Sequence, residues 1–477
     1  MNSTGFSKIG FDPLFWAPGA GTGWIGDTSA NDFYVPTVSK SKFNSGLFSY
    51  FANVGYDYDK RFGLEATIRR DASFRFTKEN QWGTFWSVAG RWNISSEEWM
   101  QNSVFNDLKL RGSYGVSGNQ DILGTGLFGA GNLYSTLYST NLGYMAQPAL
   151  GISQLPNSDL RWETTSQGNI GLDFGVFNNR LRGTFEVYQK TTDDLFLTKY
   201  LSAVNGTSSI AANFGTMENK GVEVLIQGDI VRNDNTRVTL SANGSYNQNK
   251  VVDIPEESGF VVTGLTGYKE GQPFNEFYMY RYLGVNPNTG EALFQTKDGG
   301  ITETPTEEDL FWTGKTMWPK YQGSFGIDIE HKGWFLTANF TYAKDIYRYD
   351  NDYLWFTNAA FLKNYNMSGV LWDAWSNTNK DGSIPALNAK NNSYFADSDF
   401  YIKDASYLRL RFVSIGNNFN KNDLSFLKLS GLRVFAQGEY LYTWTKWKGW
   451  DAESSRGIDL GQYPTPRSVS FGVEVQF

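Results

Sequence analysis

Apolar and polar residues alternate one for one along many stretches of this chain, and that period of two constrains its fold more than any other feature. In RSVSFGVEVQF (Arg467–Phe477), Val469, Phe471, Val473, Val475 and Phe477 fall on one face. Ser468, Ser470, Gly472, Glu474 and Gln476 fall on the other. Such a segment is a strand with one apolar face. In a soluble sheet a second layer covers that face; in a membrane barrel lipid covers it, and the polar face lines a wet interior.

The same alternation recurs in FSYFANVGYDY, FGLEATIRR, TFWSVAGRWNI, LKLRGSYGV, GNIGLDFGVF and LRGTFEVYQK. It continues in KGVEVLIQGDIV, TRVTLSANGSYNQ, YQGSFGIDIE, GWFLTANFTYA, SYLRLRFVSIGNNF and LRVFAQGEYLYTW. With the terminal segment this gives about 13 long strands, many longer than the ~9–11 residues that cross a bilayer. The connections sort into two kinds. DKR, NNR, RNDN and HKG are tight, and SSEEWMQNSVFN reads as a short helical turn in the same phase. Asn119–Glu163, Leu197–Asn213, Val252–Lys320, Tyr349–Lys403 and Lys446–Pro466 are long. Short turns at one end and long loops at the other predict a transmembrane antiparallel β-barrel, with the long loops extracellular and the short turns periplasmic. A propeller would show a repeat of about 40–50 residues, and none is visible. Alternation turns Arg111, Arg182, Glu186, Glu223, Asp328, Glu330, Arg433, Glu439 and Glu474 toward the lumen.

Composition agrees. Aromatics are 17% of the residues and Gly occurs 50 times, which suits tight turns and interfacial girdles. No run of 18 apolar residues occurs, so a helical membrane protein is excluded. Cys is absent, which removes disulfides, thiol nucleophiles and zinc-thiolate sites. The single histidine, His331, sits in a turn pattern, so neither a catalytic triad nor a His-rich metal site is expected. NTNKDG offers oxygen ligands without EF-hand spacing, and no metal or cofactor is assigned. A net charge of −7 argues against nucleic-acid binding. An odd strand count cannot close by antiparallel pairing alone. Residues 1–44 read as an extracellular loop region, and residues 45–477 read as the C-terminal part of a larger barrel. The first residues carry no export-signal pattern, so on this reading something precedes them.

Several segments resemble the SusC/RagA family of TonB-dependent outer-membrane transporters of Bacteroidetes. They are IRRDASFRF, LKLRGSYGVSGNQ, LRWETTSQGNIGLDFGVFNNRL, NFGTMENKGVEV, EGQPFNEFYMYRYLGV and IKDASYLRLRFVSIGNNF, then GWDAE (Gly449–Glu453) and YPTPRSVSFGVEVQF. They occur in family order across nearly the whole chain. The resemblance implies a 22-stranded barrel, with a plug domain and TonB box that this chain does not contain. It also implies partners: a SusD-like surface lipoprotein as lid, TonB acting through the missing N-terminal part, that remaining N-terminal barrel and plug, and membrane lipid. The expected function is TonB-dependent import of oligosaccharides or oligopeptides, and no enzyme activity is expected. The alternative is a non-transporting SusC-like barrel within a larger outer-membrane assembly such as secretion machinery.

Two residue sets are candidates for specific roles. Tyr353, Trp355, Phe356, Trp372 and Trp375 lie in one aromatic-rich loop. They could contact substrate or the lid, or simply pack together. On the last strand, Phe471, Val473, Val475 and Phe477 are expected to form a signal read by the barrel assembly machinery. A strand with free N–H and C=O groups is a template for strand addition.

Overall fold

The computed structural model describes residues 2–11, 36–122, 133–142, 148–207, 209–256, 258–359, 366–419, 429–454, 456–459, 461 and 463–477. Its centre is a 13-stranded antiparallel sheet. We number the strands β1 (Leu47–Tyr58), β2 (Phe62–Ser73), β3 (Trp82–Asn93), β4 (Phe105–Asn119) and β5 (Glu163–Val176). Then follow β6 (Leu181–Asp193), β7 (Thr216–Arg232), β8 (Thr236–Asp253), β9 (Tyr321–His331) and β10 (Trp334–Lys344). The last are β11 (Tyr407–Phe419), β12 (Gly431–Thr445) and β13 (Ser468–Gln476). Every strand pairs with its neighbour in sequence, so the sheet is an uninterrupted meander, with β1 and β13 at its two ends.

The turns at one end are short for local reasons. Asp59 and Lys60 take φ of 52° and 54°, and Phe177, Asn178 and Asn179 take 54° to 57°. Gly333 takes 90° in the HKG turn, where a side chain would press on the Asn418 carbonyl at 2.6 Å. Residues 94–96 and 98–100 form the expected short helical turns. Glu97 there accepts Arg61 Nη2 at 2.6 Å and Trp92 Nε1 at 3.0 Å, tying two adjacent turns together.

Register assigns each residue a face, since cross-strand partners share one. Arg111, Gly171, Glu186, Glu223, Ser245 and Gln322 lie in one row across six strands. Arg433 pairs with Glu474 and Gln437 with Ser470 on the same face. The opposite face is apolar and exposed, with Phe48, Val54, Leu64, Ile170, Leu240 and Phe471 among its members. Aromatics gather toward its two margins. Phe62 stacks on Trp92 near the short turns, whereas Phe48, Tyr50 and Trp82 cluster near the long loops. An exposed apolar band between aromatic girdles is what lipid requires. Among the described residues, no helix is long and apolar enough to cross a membrane.

The long connections are built structures. Residues 254–320 carry a four-stranded and a three-stranded sheet. Residues 345–406 carry a helix, α1 (Asn351–Thr357), capped by Asp350 Oδ1 accepting Tyr353 N at 2.9 Å. The two segments share a core of Phe277, Met279, Phe294, Tyr349, Phe395 and Tyr401. Residues 2–11 and 36–44, read as loop from sequence, pair with each other as a separate antiparallel ladder outside the large sheet.

Candidate functional site

The polar face and the loop assembly above it form the candidate site. Along the wall, charged groups are ion-paired or hydrogen-bonded in place. Arg111 donates to Asp173 at 2.9 Å and lies 3.5 Å from Glu186. Arg182 donates to Gln227 at 3.0 Å, and Asp328 accepts Thr337 Oγ1 at 2.7 Å. Such a lining solvates a lumen without leaving isolated charges in a partly enclosed space.

Toward the loop end the wall becomes an amide ladder. Tyr188 OH donates to Asn247 at 2.9 Å, and Asn247 and Asn249 both donate to Asn219 Oδ1, at 3.2 and 2.9 Å. Asn249 in turn accepts the Phe274 backbone N–H at 2.7 Å, joining the wall to the loop assembly. These groups line a recess of about 690 Å³ that Trp318, Tyr407 and Glu453 also border. An uncharged amide row beside an exposed indole suits polar ligands with many hydroxyl or carbonyl oxygens.

The GWDAE segment fastens the last long loop to the wall. Bulges at Arg411 on β11 and at Tyr440–Leu441 on β12 break the strict alternation there. Glu453 accepts Arg409 Nη1 at 2.6 Å and Arg411 Nη1 at 2.7 Å, and Asp451 accepts Arg409 Nη2. Arg409 also donates to Thr443 at 2.8 Å, and its side chain is only 5% exposed. Arg348, equally buried, donates to the backbone carbonyls of Asp451, Ala452 and Ser454. Burial alone would raise the Asp451 carboxyl, but hydrogen bonds from Thr465, Arg409 and the Glu453 backbone outweigh it and hold it below the usual range. Sequence reading missed both Arg409 and this clamp. Its only trace was that GWDAE and IKDASYLRLRFVSIGNNF both carry the family resemblance, with nothing to join them.

The five loop aromatics are not one cluster. Tyr353 packs inward against Phe400 and Tyr401. Trp375 donates Nε1 to the Pro287 carbonyl at 3.1 Å and lies over Gly290, where a Cβ would meet its ring at 2.5 Å. Gly290 has φ of 77°, so glycine serves the turn and the contact together. Trp355 and Phe356 are about half exposed, and Trp372 is 92% exposed. Two of the five therefore build the loop assembly, and three face outward. On β13, Phe471, Val473 and Val475 project from the apolar face; Phe477, just past the strand's end, is exposed, and its carbonyl accepts Ser430 Oγ at 3.1 Å. His331 lies at a short turn, its Nδ1 2.8 Å from Thr236 Oγ1, far in the fold from the loop assembly. Among the described residues, no group of acidic or histidine side chains is arranged to hold a metal.

Residues 7–299, more than half of the 477, match the family described as TonB dependent receptor-like, beta-barrel. A TonB-dependent receptor of Formosa agariphila is 28% identical over 94% of this chain and 48% of its own length. The TonB-dependent receptor SusC of Bacteroides thetaiotaomicron is 28% identical over 96% of this chain and 46% of its own length. Among solved structures, the RagAB peptide transporter superposes with a TM-score of 0.82 at 28% identity, covering 95% of this chain and 50% of that one. The chain spans about half the length of the curated relatives it matches.

Proposed function

This chain belongs to the family of TonB-dependent receptor-like β-barrels, and from that premise we propose that it forms part of the wall and outer mouth of an outer-membrane nutrient importer. The cargo is an oligosaccharide or oligopeptide, uptake depends on TonB, and a SusD-like lipoprotein covers the mouth. One observation carries most of this reading. A 13-stranded sheet, apolar outside and charged inside, bears a folded loop assembly with an amide-lined recess at one end only. Its likeness to the RagAB peptide transporter over 95% of the chain supports it, as does similarity to SusC. Both relatives belong to a class of receptors and transporters.

The test is uptake of labelled oligosaccharide and oligopeptide pools by cells carrying the full-length protein, with TonB intact or inactivated. We expect one pool to enter only when both the protein and TonB are present. Entry of neither pool, together with co-purification in a large complex lacking a lid lipoprotein, would favour the assembly-component role instead.

A further inference from the structure

The apolar face is not uniform. Near the loop end, across β5 to β8, it contains a groove of about 530 Å³ lined by Ile170, Val187, Val222 and Tyr246. The groove exists because Gly168 stands where a side chain would fill it. Register places Gly168 beside Tyr114 and Gln189 on this face, and an added Cβ would meet only the Tyr114 ring, at 3.5 Å. Below that row, Ile170, Val187, Val222 and Tyr246 are successive cross-strand partners, so the floor is apolar.

Basic residues stand at the upper margin. Lys220 is the cross-strand partner of Gln189 and Gln248, one row above Tyr246. Lys250 lies one row higher on β8, opposite Glu218. Lys344 ends the row that runs through Tyr246 and Tyr321. All three lysines are exposed. Two acidic groups stand at this margin: Glu218, held by Lys220 at 2.9 Å and Gln189 at 2.6 Å, and Asp345, which follows Lys344 and lies 3.9 Å from Lys320. Lys250 and Lys344 have no ion-pair partner among the described residues. Tyr246 follows the first residue of β8, Thr236, by ten positions. At the usual rise and tilt of a barrel strand, that distance is about 25 Å along the membrane normal, the height of the apolar band. Lys220 and Lys250 therefore sit where headgroups lie, above the groove on its own strands, and Lys344 flanks it two strands to the side, in the row of Tyr246.

We infer that this groove seats an acyl chain of a phosphorylated glycolipid of the outer leaflet, with its phosphate held by Lys220, Lys250 and Lys344. The inference rests on the reading of this face as lipid-covered with the long loops outside, but not on transport. The apolar row supplies the chain site, and the net positive margin supplies selectivity for an anionic headgroup.

The test uses the full-length protein in phosphatidylcholine nanodiscs doped with bisphosphorylated lipid A or its dephosphorylated counterpart. Native mass spectrometry reads the lipid retained, and heat-modifiable gel mobility reports that each variant is folded. Wild type should retain the phosphorylated form preferentially, by about fivefold for each lysine engaged beyond Lys220, whose charge Glu218 already offsets. The combined variant Lys220→Gln, Lys250→Gln, Lys344→Gln should bring the two forms to parity. Gly168→Leu should lower retention of both, because it fills the groove. Equal retention of the two forms by wild type would overturn the proposal, as would an undiminished preference in the lysine variant. Retention unaffected by Gly168→Leu would remove the groove from it. Complete displacement by inorganic phosphate would identify a phosphate site and not a lipid site. Uptake is not a readout, so loss of the import reading alone would leave this result standing.

Discussion

Arg409 shows how much one side chain organises here. Its guanidinium meets Asp451, Glu453 and Thr443, so one residue of the wall, with Arg411 beside it and Arg348 behind, fastens the loop that follows β12. Removing one partner of a buried pair leaves an uncompensated charge, and Asp451→Asn should cost about 3 kcal/mol, the low end because Glu453 still faces Arg409. The loop at residues 446–467 should then become protease-sensitive while the sheet stays intact; a wild-type cleavage pattern would discount the clamp. The pH dependence follows from the depressed Asp451 carboxyl. Its stabilising contribution is complete above the ordinary value of 3.8 and is lost as pH falls through the lower folded value. Wild-type protection of this loop should therefore hold from neutral pH to about 4 and weaken below it, whereas the Asn variant should show no such added acid step. Neither partner was legible in advance. Arg409 occupies an ordinary strand position, and its carboxylate acceptors lie more than forty residues later in the chain.

At the scale of elements, legibility divides by period. The 13 strands could be read because each keeps one face in lipid and one in water, so the period of two is written along its whole length. The loop assembly could not. Its core joins Phe277, Phe294, Tyr349 and Phe395 from separate segments, and no local pattern marks residues that meet only in space. The same blindness merged the five loop aromatics into one set, whereas Tyr353 and Trp375 are packed and Trp355, Phe356 and Trp372 are exposed. Replacing Phe356 and Trp372 by Ala should leave the thermal midpoint unchanged and lower lid affinity or uptake. Trp375→Ala should instead destabilise the loop assembly by ~2 kcal/mol through loss of its packing and its bond to Pro287. A melt that is equally shifted, or equally unshifted, by the two sets would contradict this division. β13 carries a second proposal at this scale. Its exposed row of Phe471, Val473, Val475 and Phe477 is offered to the assembly machinery by strand addition. Phe477→Ala in the full-length protein should lower the yield of membrane-inserted, heat-modifiable barrel. Unchanged insertion kinetics would leave Phe477 as an interfacial anchor only.

The whole molecule is defined by which face meets lipid. The meander ends on β1 and β13, and among the described residues no pairing joins them, so each presents a free edge. The likeness to RagAB covers 95% of this chain and half of that one, and we propose that further strands complete the wall. With that polarity the sheet belongs in a bilayer, its apolar side outward and its charged side toward water. A cysteine scan of β7 tests it most directly, since this chain has no Cys of its own to remove. Single Cys replacements at Val222, Glu223, Val224, Leu225, Ile226 and Gln227 would be made in the full-length protein, cleared of any other cysteine and reconstituted in lipid vesicles. Each would be labelled with a water-soluble maleimide, and separately with a fluorophore quenched by a lipid-phase quencher. Strict alternation is expected: positions 223, 225 and 227 react with the maleimide, and 222, 224 and 226 are quenched from the lipid. Uniform maleimide access at all six positions, or alternation in the opposite phase, would contradict it.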